Sequence, residues 1–184
     1  MLMLEDYLID YASGVLSNKK SANLFMMPVE DEVLFNSAKN HFSNLLEPFG
    51  ISIYSFRRHE QELVYIYRKD RLEEDLSNQF CSACLKRKGY DITSVETLIE
   101  SFKEKIQALG EFPHEIGFLL GYPCNDVLSF LDDVGKKPLL TGYWQVYHDI
   151  DCARARFGEI NQSREQYRSL YESGIPFEEL PFAT

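Results

Sequence analysis

The stretch ISIYSFRRHEQELVYIYR, residues 51–68, decides the fold. Its first part, residues 51–56, is mostly apolar, and its last part, residues 63–67, reads LVYIY. β-Branched and aromatic residues of this kind favour strands. The polar residues 57–61 between them are typical of a turn. The stretch therefore predicts an antiparallel β-hairpin.

Helical periodicity lies on both sides of this hairpin. Apolar residues recur at helical spacing in seven segments. The predicted helices cover about residues 3–16, 33–46, 72–83, 95–109, 114–120, 125–134 and 149–173. Two further strands are predicted at residues 21–27 and 139–147. This pattern predicts an α+β fold, in which a small, mostly antiparallel sheet of three or four strands is flanked by six or seven helices.

Length and charge limit the function classes. The chain has 184 residues, which predicts a single domain over residues 1–184 whose last ten residues, 175–184, form an extended tail. The net charge of −10 argues against a nucleic-acid partner and against an anionic membrane surface. No apolar run approaches the roughly 20 residues of a membrane span. The start MLMLEDYLID lacks the basic residues of a signal peptide, so a cytoplasmic location is expected.

The four cysteines are therefore expected to be reduced thiols. Cys81 and Cys84 have the spacing of half a zinc site or of a redox pair, but they fall inside a predicted helix and no second such motif follows. Cys124 and Cys152 lie elsewhere in the sequence. We accordingly predict no metal site, and the sequence indicates no particular cofactor.

Candidate site residues concentrate in residues 112–147, FPHEIGFLLGYPCNDVLSFLDDVGKKPLLTGYWQVY. His114 can serve as an acid or a base near pH 7, and Glu115 follows it directly. The alternative is that both residues belong to the start of a helix, where a carboxylate favours the positive end of the dipole. HEIGF is not the HExxH motif, which excludes a zincin helix.

Aromatic residues of the same block are the candidate ligand-binding residues. Tyr122 follows a Gly-Tyr-Pro corner, while Tyr143, Trp144 and Tyr147 belong to the predicted strand over residues 139–147. Alternation places Tyr143 and Tyr147 on one face and Trp144 on the other. One face can line an aromatic pocket for a planar ligand. The alternative is that these side chains are sheet core.

Several of these motifs carry a resemblance to a known family. PHEIG, FLLGYP, Asp126-Val127 and GYW-x-VY resemble the signature of the DUF3793 family of uncharacterised bacterial proteins, and residues 21–25 and 64–68 fit its earlier blocks. The similarity runs from about residue 11 to residue 157. It implies a soluble bacterial protein, mostly from anaerobes, with no known reaction. A Cys that the family often carries in its first block is replaced here by Tyr11, so a mechanism using that thiol would be absent.

Two function classes follow from these residues. The first is a pocket protein, whether a binder or an enzyme, that holds a small ligand between the PHEIG and GYW blocks. The alternative is a non-catalytic module for protein interaction or self-assembly. A pocket with convergent polar groups favours the first, and a broad exposed apolar patch favours the second. The sequence leaves the oligomeric state open.

Overall fold

The computed structural model describes residues 3–183, and these form two compact units. Residues 3–69 and 158–183 make up one unit, which we call the sheet unit. Residues 70–157 make up the other, which we call the cavity unit. Helices and antiparallel strands occur together in the described chain, which confirms the predicted α+β fold. The single domain predicted over residues 1–184 stays a prediction.

The sheet unit contains the predicted hairpin. Its elements are α1 (Leu4–Leu16), β1 (Ala22–Pro28), α2 (Glu32–Leu46), a 3₁₀ turn (Glu47–Phe49), β2 (Ile51–Arg58) and β3 (Gln61–Arg68). The strands form an antiparallel sheet in the order β1-β3-β2. The hairpin turn is tighter than predicted because β2 and β3 stay paired up to Arg58 opposite Gln61. Arg57 lies opposite Glu62, and such a cross-strand pair of opposite charge favours the additional strand pairing next to the turn.

The central strand β3 is the best buried element of the sheet unit. Every residue from Glu62 to Arg68 is buried, whereas β2 is mostly half-buried and β1 alternates between buried and less buried residues. Val64 and Ile66 pack with apolar side chains of α1 and α2, among them Leu8 and Leu46. This packing explains why the β-branched and aromatic run of β3 is the strongest strand signal in the sequence.

Arg68, at the end of β3, connects several segments of the sheet unit through hydrogen bonds of its side chain. Its buried guanidinium donates to the carbonyls of Val15 and Leu16 at 2.7 and 3.1 Å, of Phe49 at 2.8 Å and of Ala183 at 2.6 Å. Val15 and Leu16 lie in the last turn of α1, where carbonyls lack partners within the helix. One side chain therefore satisfies the end of α1 and ties it to the C-terminal segment.

The segment predicted as an extended tail contains a 3₁₀ turn at Phe177–Glu179. Phe177 and Leu180 are buried in the core of the sheet unit. The hydroxyl of Tyr167 donates to the carbonyl of Pro181 at 2.6 Å. The described part of this segment thus belongs to the core and does not extend freely.

The cavity unit is mostly helical. Its elements are α3 (Lys69–Leu76, entering from the sheet unit), α4 (Gln79–Arg87), α5 (Val95–Leu109), α6 (Ile116–Leu119), α7 (Cys124–Asp132), β4 (Leu140–Thr141) and β5 (Gln145–Val146). The last helix, α8 (Ile150–Glu172), begins in this unit and ends in the sheet unit. Its start is capped by Asp149, whose carboxylate accepts from the backbone N–H of Cys152 at 3.0 Å.

The single helix predicted over residues 72–83 is wrong, because the chain forms two helices there. Asn78 accepts from the backbone N–H of Phe80 at 2.9 Å and so starts α4 with a new cap. Because a new helix starts after Asn78, the residues buried in α4 differ from those that a single continuous helix would bury. Phe80 and Ala83 are exposed, whereas Cys81 and Cys84 are buried.

The strand predicted over residues 139–147 is also corrected. The chain forms two short antiparallel strands, β4 and β5, with residues 142–144 in the turn between them. Gly142 permits this turn, since a Cβ there would lie only 2.2 Å from Cε2 of Phe157. Trp144 therefore projects from a turn, and the strict alternation predicted for Tyr143, Trp144 and Tyr147 does not apply.

Candidate functional site

A cavity of about 280 Å³ lies within the cavity unit, and we call it the aromatic cavity. Its lining comes from the loop before α6, from α6 and α7, and from the β4–β5 turn. The lining residues are Phe112, Pro113, His114, Ile116, Gly117, Tyr122, Asp126, Val127, Phe130, Trp144 and Gln145. Both ends of the block that the sequence singled out therefore meet at one site.

Two glycines shape the backbone beneath the aromatic cavity. A Cβ on Gly117 would lie 2.9 Å from Cγ2 of Val127 and 3.2 Å from Cδ2 of Tyr122, so only glycine lets α6 approach α7 this closely. Gly121 has a φ of 66°, a backbone conformation that L side chains rarely adopt. It turns the chain from α6 toward Tyr122 and α7. The Gly-Tyr-Pro corner thus places Tyr122 in the wall.

Asp126 is the anchor of the site. This buried carboxylate, in the first turn of α7, accepts from Nε1 of Trp144 at 2.8 Å and from the backbone N–H groups of Tyr147 and His148 at 2.9 and 3.0 Å. A buried carboxylate is costly unless its oxygens are satisfied, and here three donors satisfy them. Asp126 therefore fixes the indole of Trp144 and holds the β4–β5 hairpin against α7.

Aromatic rings form a continuous wall around Trp144. The Trp144 ring lies 5.6 Å from that of Tyr122 and 4.5 Å from that of Phe157, to which it is nearly perpendicular. The guanidinium of Arg156 lies 5.5 Å from the indole centroid. Burial raises the pKa of Tyr122 to about 12, so its hydroxyl is protonated at neutral pH. The aromatic rings of this wall are thus uncharged at neutral pH.

Two polar side chains of the lining are exposed. His114 places its ring edge-on to Phe130, with the centroids 5.1 Å apart. The side-chain Oε1 of Gln145 accepts from the hydroxyl of Tyr147 at 2.6 Å. A ligand in the aromatic cavity would therefore meet flat apolar surfaces, with an imidazole as a hydrogen-bonding group.

Glu115 does not line the aromatic cavity. Its buried carboxylate accepts from the hydroxyl of Tyr90 at 2.8 Å and pairs with Nζ of Lys88 at 3.2 Å and of Lys105 at 3.5 Å. Burial alone would raise the pKa of Glu115, but these partners outweigh it and lower the pKa below its ordinary value. The structure therefore does not bring His114 and Glu115 together.

Tyr143 and Tyr147 also lie outside the lining. Tyr143 packs on Phe157, with the ring centroids 5.6 Å apart, so it supports the wall from behind. Tyr147 is buried and contributes its backbone N–H to Asp126. Of the six residues that the sequence put forward, His114, Tyr122 and Trp144 line the aromatic cavity, while Glu115, Tyr143 and Tyr147 do not.

Asp126 is the important residue that sequence reasoning did not place in the site. An aspartate in the first turn of a helix is ordinary, because the positive end of the helix dipole favours it. Nothing in its local sequence shows that its partners lie about 20 residues later. The useful signal would have been the combination of an acid beside the apolar residues of a helix and a single tryptophan whose indole N–H needs an acceptor.

Among residues 3–183, no group of three or more His, Cys, Asp or Glu side chains is arranged to hold a metal ion. The absence of a metal that the sequence predicts stays a prediction. Within the same residues, no helix combines the length and the apolar character that crossing a bilayer requires.

Comparison with known proteins bears out the resemblance. A family model described as "Protein of unknown function (DUF3793)" matches residues 8–181, which is nearly the whole chain. Curated proteins and solved structures give no match.

Proposed function

The chain belongs to the DUF3793 family, and we propose that it binds a small, planar, mostly apolar ligand in the aromatic cavity. One observation carries this proposal. The buried carboxylate of Asp126 holds Trp144 in the wall of a cavity that the surrounding side chains leave unfilled. Protein interiors are normally close-packed, and cavities of this kind are few.

The size and lining of the cavity support a ligand class. About 280 Å³ equals roughly nine water molecules at ~30 Å³ each, which suits one or two fused rings. Trp144, Tyr122 and Phe130 offer faces or edges for stacking. His114 can donate or accept one hydrogen bond at the rim, depending on its tautomer. The expected ligand is therefore a flat ring system with one polar substituent.

The wall offers little for acid–base catalysis. Asp126 already accepts three N–H groups, and Glu115 belongs to a separate cluster with Tyr90 and two lysines. His114 is the one candidate acid or base that reaches the aromatic cavity. Binding is therefore the activity that the geometry supports best, and an enzymatic role of His114 would need a second group supplied by the ligand.

Fluorescence gives a direct test because Trp144 is the only tryptophan of the chain. We expect the probes indole and 2-naphthol to bind saturably, as measured by calorimetry. Binding of 2-naphthol should also change the tryptophan emission. Native mass spectrometry of protein purified from its own host should show a retained small molecule. If no probe binds and no mass is retained, the proposal is wrong.

A matched pair of variants locates the binding. Ile116 lines the aromatic cavity, whereas Leu120, just after the same short helix, is also half-buried but does not line it. Ile116→Phe should fill the space and weaken probe binding at least tenfold. Leu120→Phe should leave the affinity within about twofold. Equal effects of the two variants would place the probe elsewhere.

The alternative function, a module for protein interaction or self-assembly, has a separate observation behind it. Val33 and Leu34, adjacent residues in the first turn of α2, are 78% and 68% exposed. Exposed apolar groups of this kind can mark a contact surface. Sedimentation of the wild type and of a Val33→Ser, Leu34→Ser double variant tests this, because a self-assembling module should lose its oligomer in the variant.

A further inference from the structure

A second cavity, of about 290 Å³, lies in the cavity unit, and we call it the hydroxyl cavity. It is formed by α3, α4 and the loop that leads into α5, and it shares no lining residue with the aromatic cavity. Its polar lining residues are Glu73, Ser77, Ser82, Thr93 and Ser94. Four hydroxyl groups and one carboxylate thus border a single space.

The polar and apolar side chains of the hydroxyl cavity lie at different depths. Leu85, Val95 and Leu98 are buried and form an apolar floor. Four of the five polar side chains are exposed and form the mouth, and Ser82 is half-buried between floor and mouth. A ligand would therefore place an apolar body inside the cavity and a polar group at its mouth.

The hydroxyl groups can accept hydrogen bonds from a ligand but have no hydrogen left to donate. Those of Ser77 and Ser82 donate to backbone carbonyls three residues earlier, at 2.7 and 3.1 Å. That of Thr93 donates to the carboxylate of Asp91 at 2.6 Å, and that of Ser94 caps α5. Because a hydroxyl carries a single hydrogen, the oxygens of Ser77, Ser82 and Thr93 retain only acceptor capacity.

Negative charge lies at the same mouth. Glu73 brings a carboxylate, and no Lys, Arg or His is among the described residues that line the cavity. Hydrogen bonds from the hydroxyl and the backbone N–H of Thr93 lower the pKa of Asp91 below its ordinary value, so Asp91 adds a charge next to the lining. The net charge of the chain, −10, also favours the approach of a cation.

We infer that the hydroxyl cavity binds a primary alkylammonium ion. An ammonium group has three N–H donors and no acceptor, which complements the carboxylate of Glu73 and hydroxyl oxygens that can only accept. Its alkyl chain would cover the apolar floor. About 290 Å³ equals roughly ten water molecules at ~30 Å³ each, which suits a chain of about six carbons. This site is separate from the aromatic cavity and does not depend on a ligand there.

Hexylammonium chloride is the probe for this inference, and calorimetry on the full chain measures its binding. We expect saturable binding of one hexylammonium ion per chain. 1-Hexanol has the same alkyl chain without the charge and should bind at least about tenfold more weakly. Hexanoate, which carries the opposite charge, should give no measurable binding. No saturable binding of hexylammonium, or equal binding of 1-hexanol, would overturn the inference.

Two neighbouring carboxylates provide a matched pair of variants. Glu73 lines the hydroxyl cavity, whereas Glu74 is also exposed on α3 but does not line it. Glu73→Gln should weaken hexylammonium binding at least about tenfold, because it removes the charge at the mouth. Glu74→Gln should change the affinity by no more than about twofold. Equal losses in the two variants would mean a general attraction to an acidic surface, and the assigned site would be wrong.

A second pair tests the position of the alkyl chain. Ser82→Leu should fill the cavity and weaken hexylammonium binding at least about tenfold, whereas Ala83→Leu, at an exposed neighbour on α4, should not. Ile116→Phe should also leave this binding unchanged, since a loss there would place the probe in the aromatic cavity and overturn the inference. Circular dichroism checks that each variant is folded, and the exposed Glu73→Gln gives a result that does not depend on core packing.

Discussion

Two regions rich in aromatic residues differ in how they pack. In the sheet unit, Tyr65 and Tyr67 on β3 are buried and stacked, with ring centroids 5.1 Å apart. In the cavity unit, Tyr122 and Trp144 lie at 5.6 Å but border about 280 Å³ of unfilled space. In the sheet unit, regular strand pairing sets the distance between neighbouring side chains, and the side chains fill the space between them. Turns and a buried carboxylate hold rings apart, so aromatic content alone does not distinguish a core from a pocket.

The largest expected effect compares one isoleucine from each region. Ile66 on β3 is fully buried, whereas Ile116 lines the aromatic cavity and is half-buried. We expect Ile66→Ala to reduce the free energy of unfolding by about 4 kcal/mol, because it removes packed atoms and leaves a void. Ile116→Ala should cost about 1 kcal/mol, since space is already present beside it. Denaturant titrations of both variants measure the difference.

Equal losses of stability in the two variants would show that the two regions do not differ in packing. If Ile116→Ala proved as damaging as Ile66→Ala, the aromatic cavity would be part of a tightly coupled core. A ligand retained from the expression host would produce the same result. Native mass spectrometry of each sample therefore belongs with the titration.

The next effect concerns the polar anchor of the sheet unit. Arg68→Met keeps much of the buried length but leaves the carbonyls of Val15, Leu16, Phe49 and Ala183 without this donor. We expect a loss of about 3 kcal/mol, because four hydrogen bonds from a buried charged donor are lost. The exposed Arg57 is the matched control, and Arg57→Met should change stability by no more than about 0.5 kcal/mol. Thermal unfolding of the pair measures both, and similar melting temperatures would contradict the role of Arg68.

A smaller effect, dependent on pH, is expected at Glu115. Glu115→Gln should cost about 1–2 kcal/mol at pH 7, since it removes the charge that Lys88 and Lys105 pair with. The folded state lowers the pKa of Glu115, so its stabilisation is present above the unfolded value of about 4.3 and is lost as pH falls through the folded pKa. Stability curves of the wild type and the variant should converge toward pH 3. A constant difference across pH 3–7 would mean that charge is not the cause.

Local sequence predicted most of the regular elements and the block that contains the lining of the aromatic cavity. The hairpin of β2 and β3 and the helix α5 follow from short-range pattern, which the structure keeps. His114, Tyr122 and Trp144 were placed in one block, and all three line the aromatic cavity. These features depend on propensity, capping and spacing within a few residues, which a single sequence displays.

Features that depend on distant contacts were not predictable in this way. The tight fit of Gly142 against Phe157 replaces an expected strand with a hairpin. Glu115 faces Tyr90 and two lysines, which are 10–27 residues earlier in the sequence. Asp126 acquires its role only when the β4–β5 turn brings Trp144 to it. In each case a partner far along the chain decides where the side chain goes.

The smallest effect on stability is expected at His114, and it separates a ligand-binding role from a structural one. His114 is exposed at the aromatic cavity and contacts Phe130 edge-on. We expect His114→Ala to reduce the free energy of unfolding by no more than about 1 kcal/mol. The same change should weaken binding of 2-naphthol, whose hydroxyl can hydrogen-bond to the imidazole, more than binding of naphthalene, which lacks that group. His41, exposed in the sheet unit, provides the matched control through His41→Ala. If His114→Ala destabilised the protein as strongly as Ile66→Ala, or weakened both probes equally, the imidazole would support the wall and not recognise the ligand.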